Sequence, residues 1–191
     1  MSAGWRLASL LFSVLMLSGH ARPTAHLHPD ATEPGALGAA LAEVWVERSG
    51  VVVTRGSAVP IAAREEAGQA ACYLLTAGHV VAGGDADATH LVVILPDDEG
   101  PRRVPGELLH QVDLDDRDLA VLRTVGPVCR PVRLGAPLAV GAEVWLAGFA
   151  VAGAPQVWAG HIRDTERHGG LSWTVDGSVT EGTSGGGVFD A

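Results

Sequence analysis

Between residues 44 and 189 the chain is a succession of short β-prone runs, with no stretch carrying the apolar period of a long amphipathic helix. Residues 44–46, 51–54, 72–76, 90–95 and 119–124 form one series. Residues 128–134, 143–149, 156–162, 171–175 and 187–189 form a second. Gly, Pro, Asp or Arg clusters separate most of them, which is the pattern of a sandwich or barrel. The sequence contains no internal repeat. The Pro- and Gly-bearing stretch from 126 to 137 reads as the crossing between two halves. The expected fold is all-β, with two consecutive small barrels, one over 39–125 and one over 126–191.

Composition narrows the chemistry. The chain is 47% hydrophobic and carries a formal charge of −9, and every basic residue is arginine because lysine is absent. An acidic chain without a basic cluster has little to offer a phosphate backbone, so nucleic acid is excluded as an expected partner. Without lysine there is no serine–lysine dyad, no GxxxxGK[ST] phosphate loop and no Schiff base. Asparagine is also absent, which removes a Cys–His–Asn site.

The first 21 residues have the form of an export signal. Arg6 gives the positive start, residues 7–17 the apolar run, and Gly19-His20-Ala21 the small residues before cleavage. The run is shorter than the ~20 residues a membrane span needs, so no stable membrane anchor is expected after cleavage. Residues 22–38 read as a flexible linker containing the pair His26 and His28. The expected location is therefore outside the cytoplasm, in the periplasm or medium. Cys72 and Cys129 belong to no CxxC pair. In an oxidising compartment they suit one disulfide, and two buried thiols are the alternative.

The segment 181–191, EGTSGGGVFDA, places one serine among glycines. A serine hydroxyl is a weak nucleophile and needs a base for its proton and donors for the oxyanion. Glycines let the chain turn so that the backbone N–H groups of Gly182 and Ser184 can aim at one point, and let it pass close to a bound molecule. A glycine-rich turn with an incidental serine is the competing reading. Among the eight histidines, His79 stands out because it follows the buried-looking strand CYLLTAG at a small-residue turn. His90, His110 and His161 read as ordinary strand histidines. Of Asp113, Asp115, Asp116 and Asp118, only Asp118 adjoins an apolar run, LAVL, and can be partly buried beside an imidazole.

LLTAGHVV, RDLAVLR and EGTSGGGVF together resemble the signature blocks of the trypsin-like serine proteases, most nearly the bacterial high-temperature-requirement proteases and their short exported relatives. The order His79, Asp118, Ser184 is also that family's order. GAEVWLAGFAVAG and WTVDGSVTEGTSGGG, with Asp176 eight residues before the serine, extend the likeness from about residue 44 to the end. The resemblance implies two six-stranded Greek-key barrels with the site between them. It implies Ser184 as nucleophile, His79 as base and Asp118 as orienting carboxylate. Gly182 and Ser184 would form the oxyanion hole, and no metal or organic cofactor would be needed. The implied substrate is a protein or peptide. Val179 falls at a position lining the family's specificity pocket, which implies a small or medium apolar side chain before the cleaved bond.

The sequence also departs from the family. Thr183 and Gly187 stand where the family usually has Asp or Asn and Pro. The chain ends seven residues after Ser184, where family members continue through strands that close the second barrel. The second barrel is accordingly expected to be incomplete and the chain a fragment or truncated gene. A protease-like binding domain without turnover is the alternative function.

Overall fold

The computed structural model describes residues 34–82, 89–96, 100–112, 117–126, 129–150, 153–167, 170–176 and 179–190. The expected signal, most of the linker with His26 and His28, and Asp113, Asp115 and Asp116 lie outside these residues.

Six strands close into a barrel: β1 (Ala42–Arg48), β2 (Val51–Glu66), β3 (Gln69–Ala77), β4 (Thr89–Leu95), β5 (Arg102–Val112) and β6 (Leu119–Val125). Their order is β1-β2-β3-β6-β5-β4, and β1 closes the ring by pairing with both β2 and β4. Every pairing is antiparallel. The first two hairpins turn through Ser49-Gly50 and Ala67-Gly68, all four residues at positive φ. That is the two-residue turn whose twist matches the flanking strands. A second, partial sheet is built from β7 (Glu143–Phe149), β8 (Pro155–Arg167), β9 (Gly170–Val175) and β10 (Gly187–Asp190), in the order β10-β7-β8-β9. The all-β, chymotrypsin-like architecture expected from the sequence is the one observed, with one closed barrel and a second sheet of four strands among the described residues.

Burial explains the division. Val44, Ala58, Cys72, Leu74, Val93, Leu95 and Leu122 fill the closed barrel, each 2% exposed or less. Fully burying a Leu or Val side chain contributes about 1.5–3 kcal/mol relative to leaving it exposed. A second cluster of Leu37, Leu41, Val59, Ala147 and Phe189 lies against the second sheet. Ala58 faces the first cluster and Val59 the second, so β2 alternates between the two cores. Its residues from Gly56 to Pro60 are consecutively buried for that reason.

Four features differ from the sequence reading. The linker does not extend to residue 38: Pro34–Ala39 forms a helical turn, α1, and Leu37 is fully buried. A single leucine after a Pro- and Gly-rich stretch found apolar partners far along the chain. β5 is a strand that the sequence reading omitted, because Pro105, Gly106 and its charged residues mask the pattern. Gly106 is placed where a Cβ would come 3.0 Å from Val93. Residues 129–134, expected as a strand, form none; their described ladder contact is Val132 N–H donating to the Pro60 carbonyl at 2.8 Å. Pro131 has no N–H for a ladder. Finally, β3 is followed at once by a short helix, α2 (Gly78–Val81).

Cys72 of β3 and Cys129 are joined by a disulfide spanning 57 positions. It fastens the start of the connection between the sheets to the barrel. Closing a loop of that length restricts the unfolded chain, and its loss is expected to cost about 2–4 kcal/mol. Urea unfolding of the parent against the Cys72→Ser/Cys129→Ser double variant measures this, and an unchanged midpoint would contradict it.

Candidate active site

β3 and β6 are paired through Ala77 and Leu119. The residues just beyond that pair, Gly78 and Asp118, therefore face each other, and Gly78 N–H donates to the Asp118 carbonyl at 2.9 Å. Asp118 sits at φ 45°, a left-handed conformation that Asp tolerates better than most residues. A Cβ on Gly78 would lie 3.2 Å from both Asp118 Oδ1 and the Leu119 nitrogen, so glycine permits the approach. The next residue is His79. Its backbone N–H donates to Asp118 Oδ1 at 2.7 Å, and its Nδ1 is 2.6 Å from Asp118 Oδ2. An ionised carboxylate only accepts, so this bond assigns the imidazole proton to Nδ1 and leaves Nε2 with its lone pair. The two side chains are 50% and 38% exposed, so the pair faces the solvent and not the barrel core.

The glycine-rich loop is held against the same end of the barrel. Ser57 N–H donates to the Ser184 carbonyl at 2.7 Å. Gly56 would carry a Cβ 2.6 Å from both Val80 methyls and 3.1 Å from the Ser184 carbonyl, so the neighbour of His79 and the backbone of Ser184 meet over one glycine. Among the described residues, the Ser184 hydroxyl and the imidazole are not hydrogen-bonded to each other. In unliganded sites such bonds are often long and tighten only with substrate.

Within the loop, Gly182 and Gly185 have φ of 93° and 83°, which glycine adopts freely. Thr183 N–H donates to the Thr180 carbonyl at 3.2 Å and Gly186 N–H to the Thr183 carbonyl at 2.9 Å. Among the described residues, the N–H groups of Gly182 and Ser184 have no backbone acceptor. The glycines that follow Ser184, Gly185 and Gly186, are those expected to let the chain pass close to a bound molecule. In the structure they press on protein: a Cβ on Gly185 would be 2.2 Å from the Ser57 carbonyl and 2.3 Å from Thr76 Oγ1, and one on Gly186 2.3 Å from the Ala147 carbonyl. Val179 is 67% exposed. A cleft of about 410 Å³ opens between the two sheets, lined by Thr76, Asp118, Leu119, Leu134, Gly185 and Phe189 among others.

Asp176 anchors the entrance to this loop. One carboxylate oxygen accepts the His161 N–H at 2.5 Å, the other accepts from Arg163, and Asp176 N–H donates to the His161 carbonyl at 3.1 Å. The backbone hydrogen bond from His161, aided by the Arg163 guanidinium, holds the Asp176 carboxyl below its usual range. Two residues outside the sequence reading also belong here. Ser57 and Thr76 are buried and hydrogen-bonded to the loop or to each other. Their signals are a Gly-Ser pair inside a valine-rich strand and the threonine of TAGH.

The trypsin-like peptidase domain model matches residues 48–191. The chain belongs to this family. Solved structures agree. Deg5 superposes with a TM-score of 0.63 at 20% identity, covering 80% of this chain and 75% of that one. A serine endoprotease from Yersinia pestis gives 0.61 at 26% identity, covering 80% of this chain, which spans 50% of that protein's chain. The MamO protease domain of Magnetospirillum magneticum, in its apo form, gives 0.60 at 20% identity over 81% and 80% of the two chains. No curated protein sequence matches the chain. Membership in the family implies peptide or protein substrates.

Gly185→Ala is expected to destabilise the fold by about 1–3 kcal/mol, through left-handed strain and overpacking; an unchanged urea midpoint would contradict this contact. Asp176→Asn tests the anchor through pH. A lowered folded pKa contributes stability above the unfolded carboxyl pKa, and that stability is lost as pH falls through the folded one. The parent should therefore exceed the variant in melting temperature at neutral pH, with the gap narrowing on acidification. A gap that is independent of pH would argue against an ionic anchor.

Proposed function

We propose that this protein is an exported serine endopeptidase, with Ser184 as nucleophile, His79 as base and Asp118 as orienting carboxylate. The observation that carries the reading is the double hydrogen bond of Asp118 to His79, in a trypsin-like peptidase domain whose glycine-rich serine loop packs beside it. With the Nδ1 proton held by Asp118, Nε2 is free to take the Ser184 proton as Oγ attacks the substrate carbonyl. The C=O double bond opens to a tetrahedral oxyanion, which the N–H groups of Gly182 and Ser184 receive. His79 then passes the proton to the leaving amine as the C–N bond breaks. Water, deprotonated by His79, releases the acid from the acyl-enzyme. Export is supported by the apolar run at residues 7–17 and by the disulfide, a bond that persists in oxidising compartments.

Fluorophosphonate labelling of the purified protein tests this. The parent should label, and Ser184→Ala and His79→Ala should not. Asp118→Asn should keep the fold and lower turnover by about 10⁴, because the amide presents a donor to Nδ1 and favours the wrong tautomer. A folded parent that never labels would instead support a binding domain without turnover.

A further inference from the structure

Ser57 is fully buried, and its polar groups reach the serine loop, β3 and β7. Its N–H donates to the Ser184 carbonyl at 2.7 Å, and its carbonyl accepts from Thr76 Oγ1 at 2.7 Å. Its hydroxyl donates to the Gly182 carbonyl at 3.0 Å and accepts the Phe149 N–H at 2.7 Å. The direction of the hydroxyl proton is set by chemistry. The Phe149 amide can only donate, so the one serine proton must go to Gly182.

We infer that Ser57, held by Thr76, is a positioning residue that aims the oxyanion donors of the Gly182–Ser184 loop; this rests on the peptidase reading above. The loop cannot aim itself, because a glycine flanked by turns has two soft backbone angles and no side chain to anchor them. Ser57 grips the three-residue arc at both ends, by the Gly182 carbonyl and by the Ser184 carbonyl. The Gly182 carbonyl and the Thr183 N–H share one peptide plane, and Thr183 N–H is itself tied to the Thr180 carbonyl. That plane lies between the two that carry the Gly182 and Ser184 N–H groups, so holding it, together with the Ser184 carbonyl, limits the rotation of both. Thr76 completes the link to the base. It lies on β3, three positions before His79, and its Oγ1 would be 2.3 Å from a Cβ on Gly185. A short path, β3 to Thr76 to Ser57 to the loop, thus joins the strand that carries the imidazole to the arc that carries the serine.

The test compares Ser57→Ala, Thr76→Val and Thr76→Ser with the parent, each checked for folding by urea denaturation. Substrate turnover, inhibition by a peptide aldehyde and the downfield proton resonance of His79 Nδ1–H are measured on each. Ser57→Ala should lower kcat about ten- to a hundredfold with KM within about threefold, short of the ~10²–10³ seen when an oxyanion donor is lost outright. Aldehyde affinity should fall by the same factor, since the tetrahedral adduct uses the same donors, while the histidine resonance stays in place. Thr76→Val should act in the same direction and Thr76→Ser should restore the parent value. Unchanged kcat in folded Ser57→Ala overturns the inference, as does loss of the histidine resonance, which would mean a general collapse of the site. If Ser57→Ala does not fold, the Thr76 pair decides, and equal kcat in Val and Ser variants overturns it. A parent that neither turns over nor labels defeats the peptidase reading alone. Backbone order parameters at residues 182–184 then report the tether: a drop toward the flexible range, below about 0.6, in the Ser57 or Thr76→Val variant supports it, and rigid values throughout overturn it.

Discussion

From Gly56 to Pro60, β2 is buried on both faces at once. A strand in an antiparallel barrel ordinarily shows one face to a core and the other to water. Here Ala58 enters the barrel while Ser57 and Val59 turn to the second sheet. A one-residue slip of β2 would exchange these faces, sending a hydroxyl into the apolar barrel and leaving the Phe149 amide and Gly182 carbonyl without a partner. The register of this strand therefore controls the barrel, the seam between the sheets and the seat of the serine loop together.

The candidate site follows from the ends of strands more than from their interiors. His79 is presented because β3 stops at Ala77 and turns into one helical turn. Asp118 is presented because β6 starts opposite that point. Geometry around the site is demanding, which is why Gly56 within β2, Gly78 after β3 and Gly185 in the serine loop each stand where a methyl group would meet a neighbouring atom. Away from the site the surface relies on arginine. Arg123 pairs with both Glu66 and Glu107, and Arg55 and Arg103 each lie 4.6 Å from the Trp45 ring centre. A planar guanidinium suits both roles better than an ammonium would.

Short β-prone runs between turn residues announced β1, β3, β4, β6 and β7, and these runs agree with the strands to within a few positions. β5 and the second half of β2 escaped notice because Pro60 and the charged residues 64–66 in β2, and Pro105, Gly106 and the charges of β5, break up their apolar runs, and long-range pairing overrode local preference there. The run ending at 134 misled for the opposite reason: Cys129 is buried and Val132 N–H reaches the Pro60 carbonyl, yet Arg130, Arg133 and Leu134 are exposed and residues 129–134 form no strand. His79 and Asp118 could be singled out because each borders an apolar strand, and the structure brings them together. Ser57 could not. A serine in a strand has no pattern of its own, and its importance lies in contacts with residues 92 and 125 positions away.

The small helix α1 carries a temporal implication. Leu37 and Leu41 are fully buried, yet their cluster is completed by Ala147 and Phe189. On a chain made from its N-terminus, these leucines emerge more than a hundred residues before the surface that covers them. The barrel from β1 to β6 holds its own core, so it has the means to form first, with the leucine pair still in water beside it. Docking of this segment then becomes a late step of assembly, completed only after the strand beyond the serine has been made. The arrival of β10 thus finishes the burial of residues at the opposite end of the described chain.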